Sequence, residues 1–149
     1  MPEEPQFGAR APLRWYRGRP CAFGLVARDG RLAVVRITRK GKAARYDLPG
    51  GALDAGETAA GAMEREFGEE TGLRVRAGEL FARGRQYVVR RGRRVNNLSA
   101  FFTADVVAEE PRLKIEDDHA LVWLAPLDAL SGLRHGSHAW AVASWLRRE

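Results

Sequence analysis

Three glutamates in one short stretch are the side chains of this 149-residue chain best suited to chemistry: Glu66, Glu69 and Glu70. Their spacing is i, i+3 and i+4, which on a helix gathers them within an arc of about 100° on one face. Like charges so placed repel and weaken the helix. A divalent cation removes that repulsion, and carboxylates are hard oxygen ligands suited to Mg2+ or Mn2+. Taken in isolation, Glu-x-x-Glu-Glu is more often an exposed acidic helix face with solvated side chains. A second acidic group, Glu116-Asp117-Asp118-His119, stands further along the chain. A solvated turn is the plain alternative for it, and His119 reads better as the first residue of a strand than as a catalyst.

The elements around these residues must hold them in place. Thr58 to Glu70 reads as a helix, opened by Glu57 or Thr58 and closed by Gly72 in a left-handed C-terminal position. Ala60, Met63 and Phe67 form an apolar stripe on the adjacent face, suited to packing on a sheet. Gly68 in the helix interior costs about 1 kcal/mol relative to Ala, so its presence points to a close neighbour. Gly50 and Gly51 permit a tight approach just before the helix and leave backbone groups free to face a ligand. Upstream, Cys21 to Ala27 and Leu32 to Thr38 read as strands about an Asp29-Gly30 turn. Arg39 to Arg45 is a basic loop, and Tyr46 to Leu48 is extended ahead of Pro49. Downstream, Leu73 to Phe81 reads as extended, and Gln86 to Arg90 and Leu98 to Val107 as strands around the basic turn Arg91 to Arg94. His119 to Leu124 reads as the last strand, Pro126 to Leu130 as the start of a short helix, and Ser137 to Arg147 as an amphipathic helix marked by Trp140, Ala143 and Leu146. Residues 1–18, with three of the seven prolines, read as an irregular leader packed through Trp15 and Tyr16. Residues 19–149 read as one α/β domain, with a mixed sheet and helices on both faces.

The stretch from Gly51 to Leu73 resembles the Nudix box, Gly-x5-Glu-x7-Arg-Glu-U-x-Glu-Glu-x-Gly-U, where U is a bulky aliphatic residue. Gly51, Glu57, Arg65, Glu66, Glu69, Glu70, Gly72 and Leu73 match it. Phe67 departs from it, at a position usually aliphatic, which changes packing rather than ligands. Leu48-Pro49-Gly50 ahead of the box is also typical of the family. The resemblance implies a Nudix-like α/β/α sandwich with a mixed sheet, the box forming a loop, helix and loop. It implies that Glu66, Glu69 and Glu70 hold Mg2+ or Mn2+, often with the Gly50 carbonyl, and that Arg65 pairs with Glu57 to fix the loop on the helix. The activity implied is hydrolysis of the diphosphate linkage in a nucleotide or nucleoside diphosphate derivative. The cation neutralises the diphosphate oxygens and lowers the pKa of bound water, and a carboxylate takes the proton. Glu66 and an acid of the Glu116 to Asp118 loop, Glu116 first among them, are the candidates for that base. Homodimers are common in the family. The alternative is a catalytically silent nucleotide- or RNA-binding module of the same fold, although such modules usually lose box carboxylates and this chain keeps all of them.

Composition narrows the rest. The chain is 45% hydrophobic and 30% charged, ordinary for a globular domain of this length and inconsistent with disorder. Cys21 is the sole cysteine, so an intrachain disulfide is excluded; it reads as a core residue in a reducing compartment. No apolar run reaches the roughly 18 residues of a membrane span, and the N-terminus lacks a secretory pattern. A cytoplasmic protein is the expectation. The net charge of +6 suits a phosphate-rich small molecule or RNA, although an ordinary solvated surface explains it as well. Among the many arginines, Arg45 is closest to the box and is the first candidate for a phosphate contact. Tyr87 is a candidate for stacking on a base, with a core position as its alternative. The proline that follows the box in ADP-ribose hydrolases is missing, as is the upstream signature of the coenzyme A type.

Overall fold

The computed structural model describes residues 4–148. The chain runs β1 (Gln6–Phe7), β2 (Arg17–Leu25), β3 (Ala27–Arg28), β4 (Arg31–Ile37), β5 (Arg45–Asp47), β6 (Gly50–Ala52), α1 (Ala59–Thr71), β7 (Leu73–Arg90), β8 (Arg93–Glu109), β9 (His119–Leu124), α2 (Pro126–Gly132) and α3 (Gly136–Arg148). A single 3-10 turn, Pro111–Leu113, lies between β8 and β9.

The larger sheet has the order β1-β7-β8-β2-β6. It is mixed: β1 with β7 and β2 with β8 are parallel, whereas β7 with β8 and β2 with β6 are antiparallel. The second sheet is built on β4, which pairs with β9 from Leu32 to Ile37 and shares its other edge between β3 and β5. The alternation of β2 decides the layering. Ala22, Gly24 and Val26 face α1, where Met63, Phe67, Val75 and Ala104 complete one core. Cys21, Phe23 and Leu25 face the opposite way, toward Phe101, Ala129, Ala141 and Val142 in a second core closed by α2 and α3. Helices therefore cover both faces, as the α/β/α reading requires.

Several boundaries differ from the sequence reading. The β7 strand is one bulged run of 18 residues rather than two pieces. Register shifts at Ala77/Leu80 and Leu80/Ala82 absorb the mismatch, so the Arg- and Gly-containing segment 82–85 stays in the ladder. Gly18 and Arg17 already belong to β2, and Gln6–Phe7 adds a short parallel strand within the expected leader. Tyr16 packs against Tyr87 at 4.7 Å between ring centroids, whereas Trp15 is exposed. On α3 the fully buried residues are Ser137, His138, Ala141 and Val142; Trp140, Ala143 and Leu146 are only half-buried. The helix presents its small side chains and His138 to the sheet because Phe23 and Phe101 already fill that space. On α1 it is Ala62 that is buried with Met63 and Phe67, while Ala60 is half-buried. No helix among the described residues is long and apolar enough to cross a membrane.

Candidate active site

Helix α1 begins and ends where its capping chemistry dictates. The Thr58 hydroxyl accepts from the Gly61 amide at 3.0 Å, and Gly72 takes φ +76° while its amide donates to the Gly68 carbonyl at 2.9 Å. Phe67 fits because the sheet yields space opposite it. A Cβ on Gly24 would stand 2.9 Å from the Phe67 ring and 2.7 Å from the Met63 sulfur, so the aromatic residue and the strand glycine are a matched pair. Gly68 meets Leu113 of the 3-10 turn, 3.3 Å from where its Cβ would be, which is the close neighbour that its position called for.

Arg65 stands at the centre of the acidic face. Its guanidinium donates to both Glu57 oxygens at 2.9 and 2.8 Å, to Glu66 at 2.9 Å, to Glu69 at 3.2 Å and to the Ala52 carbonyl at 3.2 Å. The expected Arg65–Glu57 pair is thus present, within a larger network that ties α1 to β6. Hydrogen bonds from Arg65 and from the Asp54 amide hold the Glu57 carboxyl at a pKa of about 2. Glu66 behaves oppositely. Burial raises its pKa, Arg65 opposes the rise, and the charges of Glu69 and Glu116 add to it. Gly51 lies against this carboxyl, since a Cβ there would be 2.8 Å from the Glu66 Cδ.

Glu70 is buried deepest. One oxygen accepts from the Gly50 amide at 2.9 Å, and the other lies 3.3 Å from His119 Nε2. Burial drives its pKa well above the carboxylate range; the Gly50 amide works against that shift, and Glu66, Asp47 and Glu116 reinforce it. His119 Nδ1 in turn contacts Asp118 at 2.7 Å, and Asp118 pairs with Arg39 at 3.4 Å. The loop carrying these residues is fastened to α1, because the amides of Ile115 and Glu116 both donate to the Glu69 carbonyl, at 2.9 and 3.1 Å. Glu116, Asp118 and His119 place ligand atoms within 4.8 Å of one another. His119 does open β9, as read, and it also joins the acidic group through Glu70.

The donor set fits a hard divalent cation. Carboxylates from a helix and from a distant loop converge, and two of them, Glu66 and Glu70, are disfavoured as anions by burial and by each other. A bound cation relieves that repulsion directly. Gly50, the expected carbonyl donor, sits in the strand that closes this site. Its φ of +149° and the backbone of Phe23, 2.6 Å from a would-be Cβ, admit only glycine.

Of the two expected substrate residues, Arg45 pairs with Ile37 of β4, whose partner on the other side is His119. Arg45, on β5, is half-buried and close enough to His135 to disfavour its protonation. Tyr87 is engaged with Tyr16 rather than brought among the carboxylates. Sequence reasoning missed the support behind the box. His138 is fully buried between Phe23 and Phe101, and its Nδ1 accepts from the Leu48 amide at 3.1 Å. Asp47 binds Arg134 through two hydrogen bonds, at 3.2 and 2.6 Å. Burial works against the Asp47 charge, but nearby His138, the Arg134 guanidinium and His135 together outweigh it and lower the pKa. The one available signal was the concentration of two histidines and an arginine, Arg134 to His138, at the start of an otherwise apolar helix.

Fold and site together define a mixed α/β/α sandwich that carries a cluster of carboxylates on the helix behind a glycine strand. The chain belongs to the family described as NUDIX domain, whose model matches residues 17–146. It is 45% identical over 58 residues to a MutT-like protein of Streptomyces ambofaciens, covering 38% of this chain and 36% of that protein. It is 41% identical over 70 residues to an RNA pyrophosphohydrolase of Sphingopyxis alaskensis, covering 46% of this chain and 43% of that protein. The likeness thus spans less than half the length of either relative. A NUDIX hydrolase structure from Nitrosomonas europaea superposes with a TM-score of 0.77 at 20% identity, over 89% of this chain and 90% of that one.

Proposed function

We propose that the protein hydrolyses the diphosphate linkage of a nucleotide or nucleoside diphosphate derivative with Mg2+ or Mn2+. The observation that carries this reading is the convergence of Glu66, Glu69, Glu70 and Glu116, whose charges act on one another while Arg65 binds Glu66 and Glu69. Glu66, Glu69 and Glu70, with the Gly50 carbonyl, would hold the metal, which supplies charge neutralisation at the diphosphate and a more acidic bound water. Arg65 and Glu57 orient the helix against the β6 loop so that Glu66 and Glu69 keep one geometry. Glu70 is anchored by the Gly50 amide and locks the strand to the helix.

A proton acceptor is required near the attacking water, and Glu116 is our assignment. Its backbone is pinned to the Glu69 carbonyl, which keeps its carboxylate beside the ligands, while Glu66 already serves Arg65. The test is a screen of nucleoside triphosphates, dinucleoside polyphosphates, nucleotide sugars and capped or triphosphorylated RNA with Mg2+ and Mn2+. Glu69→Gln should abolish turnover on every substrate. Glu116→Gln should lower kcat by about a hundredfold or more at near-constant KM. Inactivity of the native protein on all classes would refute the activity, and full activity of Glu116→Gln would remove that residue as the base.

A further inference from the structure

Where the first turns of β2 approach the β7–β8 hairpin, a cavity of about 350 Å3 is lined by Arg17, Arg19, Arg90, Arg91, Arg93 and Val95. Five guanidinium groups surround it and no carboxylate does. Among the described residues, none of the five forms an ion pair. Among the described residues the side-chain partners of Arg19 are neutral, Asn97 Oδ1 at 3.2 Å and Cys21 Sγ at 3.3 Å. The crowding has a measurable consequence. Burial and the cations Arg19, Arg91 and Arg39 push the Arg90 pKa down. Cations concentrated on a concave surface and left without counter-charges are a costly arrangement that an anion relieves.

The cavity is adjacent to the acidic site. Arg17 and Arg19 share a face of β2 with Cys21, which pairs with Ala52 of the glycine strand. That face is turned away from α1, and β6 is the edge strand of its sheet, so the way from the arginines to the carboxylates of α1 runs around β6. The Cys21 thiol, pushed up to about 11 chiefly by burial, is influenced from one side by Arg19 and Arg90 and from the other by Glu66. Arg39 bridges the same gap, crowding Arg90 and pairing with Asp118.

We infer that this arginine cavity is a second anion subsite, which binds a phosphate of the substrate beyond the scissile diphosphate. This inference rests on the hydrolytic reading above. The substrate class it selects is a diphosphate whose other half is itself phosphorylated. A 5′-triphosphorylated oligoribonucleotide and a dinucleoside polyphosphate both meet that description, and arginine recognises the phosphate they share. A nucleoside triphosphate or a nucleotide sugar reaches only the carboxylate end.

The experiment compares the native protein with Arg17→Ala/Arg93→Ala, whose side chains are exposed, and with the charge-matched control Arg147→Ala/Arg148→Ala on α3. Binding of inorganic tripolyphosphate is measured by calorimetry in EDTA, which removes any metal contribution. The double variant should bind about tenfold more weakly or worse, its affinity should fall less steeply with salt, and the control should be unchanged. In turnover, the kcat/KM for the triphosphorylated oligoribonucleotide or the dinucleoside polyphosphate should drop about tenfold relative to that for a nucleoside triphosphate. Which of the two drops identifies the source of the phosphate. Equal tripolyphosphate affinity in all three proteins, or a uniform loss across all substrates, would overturn the subsite. Arginine-dependent binding without hydrolysis of any diphosphate would instead keep the subsite and refute the catalytic reading.

Discussion

Replacing His138 by asparagine probes how the strand ahead of the box is held from behind. The imidazole is 2% exposed, and its Nδ1 accepts the Leu48 amide proton, so the neutral form is the one that the fold requires. Asparagine keeps an acceptor at a similar reach and removes the titration. Burial lowers the His138 pKa from 6.5 to about 3; Asp47 pulls it upward, while His135 and Arg134 push it down. The folded value lies below the unfolded one, so the unfolded chain binds the extra proton at intermediate pH. The contribution of His138 is therefore complete above pH 6.5 and is lost as pH falls toward 3. At about 1.4 kcal/mol per unit, the whole window is worth about 5 kcal/mol, of which about half is gone by pH 4.5. Urea denaturation at pH 7.5, 6.0 and 4.5 measures it. His138→Asn should be less stable than the native protein at pH 7.5, by about 1–3 kcal/mol of lost ring packing. It should then lose about 2–3 kcal/mol less on acidification to pH 4.5, because Asp47, Asp118 and His135 titrate in both proteins. Parallel pH profiles for the two proteins would refute the buried neutral imidazole.

Two other substitutions separate positioning from stability. Gly51→Ala puts a methyl 2.8 Å from the Glu66 Cδ, which a side chain can evade by turning. We expect kcat with Mg2+ to fall about tenfold or more while the thermal midpoint moves by only a few degrees; unaltered turnover would show that Glu66 has freedom to move without consequence. Arg134→Ala leaves Asp47, with a side chain only 12% exposed, without its lasting cation, since His138 is neutral near pH 7. The expected loss is about 2–4 kcal/mol in urea denaturation at pH 7, and a loss below about 0.5 kcal/mol would mean that the pair is solvent-screened in the manner of a surface bridge.

The box was legible because its chemistry is local. Spacings within one helix and the loop before it put Glu57, Arg65, Glu66, Glu69 and Glu70 together without knowledge of the rest of the chain. The layering was legible too, because β2 is apolar on both faces and so calls for a helical layer on each. What depends on distant pairing was not. That Arg134 would reach Asp47, or that His138 would enter the gap between Phe23 and Phe101, follows from how α3 docks on the sheet and leaves no periodic trace. The arginine cavity needs β2 to lie parallel to β8 with Arg17 opposite Val95, and in sequence its members are merely a leader and a basic turn. Tyr87 packs on Tyr16, in keeping with the core alternative that its sequence position left open.

The register of β2 has a geometric meaning of its own. Cys21 is level with Ala52 of the glycine strand, and Arg19 and Arg17 follow on the same face at alternate positions. Each pair of residues advances about 6.6–6.8 Å along a strand, so the two arginines stand about 7 and 13 Å beyond that level. A hydrogen-bonded strand inside a sheet does not stretch. The molecule thereby contains a ruler, and a ligand engaging both ends would be sorted by the separation of its phosphates before the strength of any single contact counted. Removing two residues from this part of β2 would keep every side chain on its face and shorten the scale by one graduation.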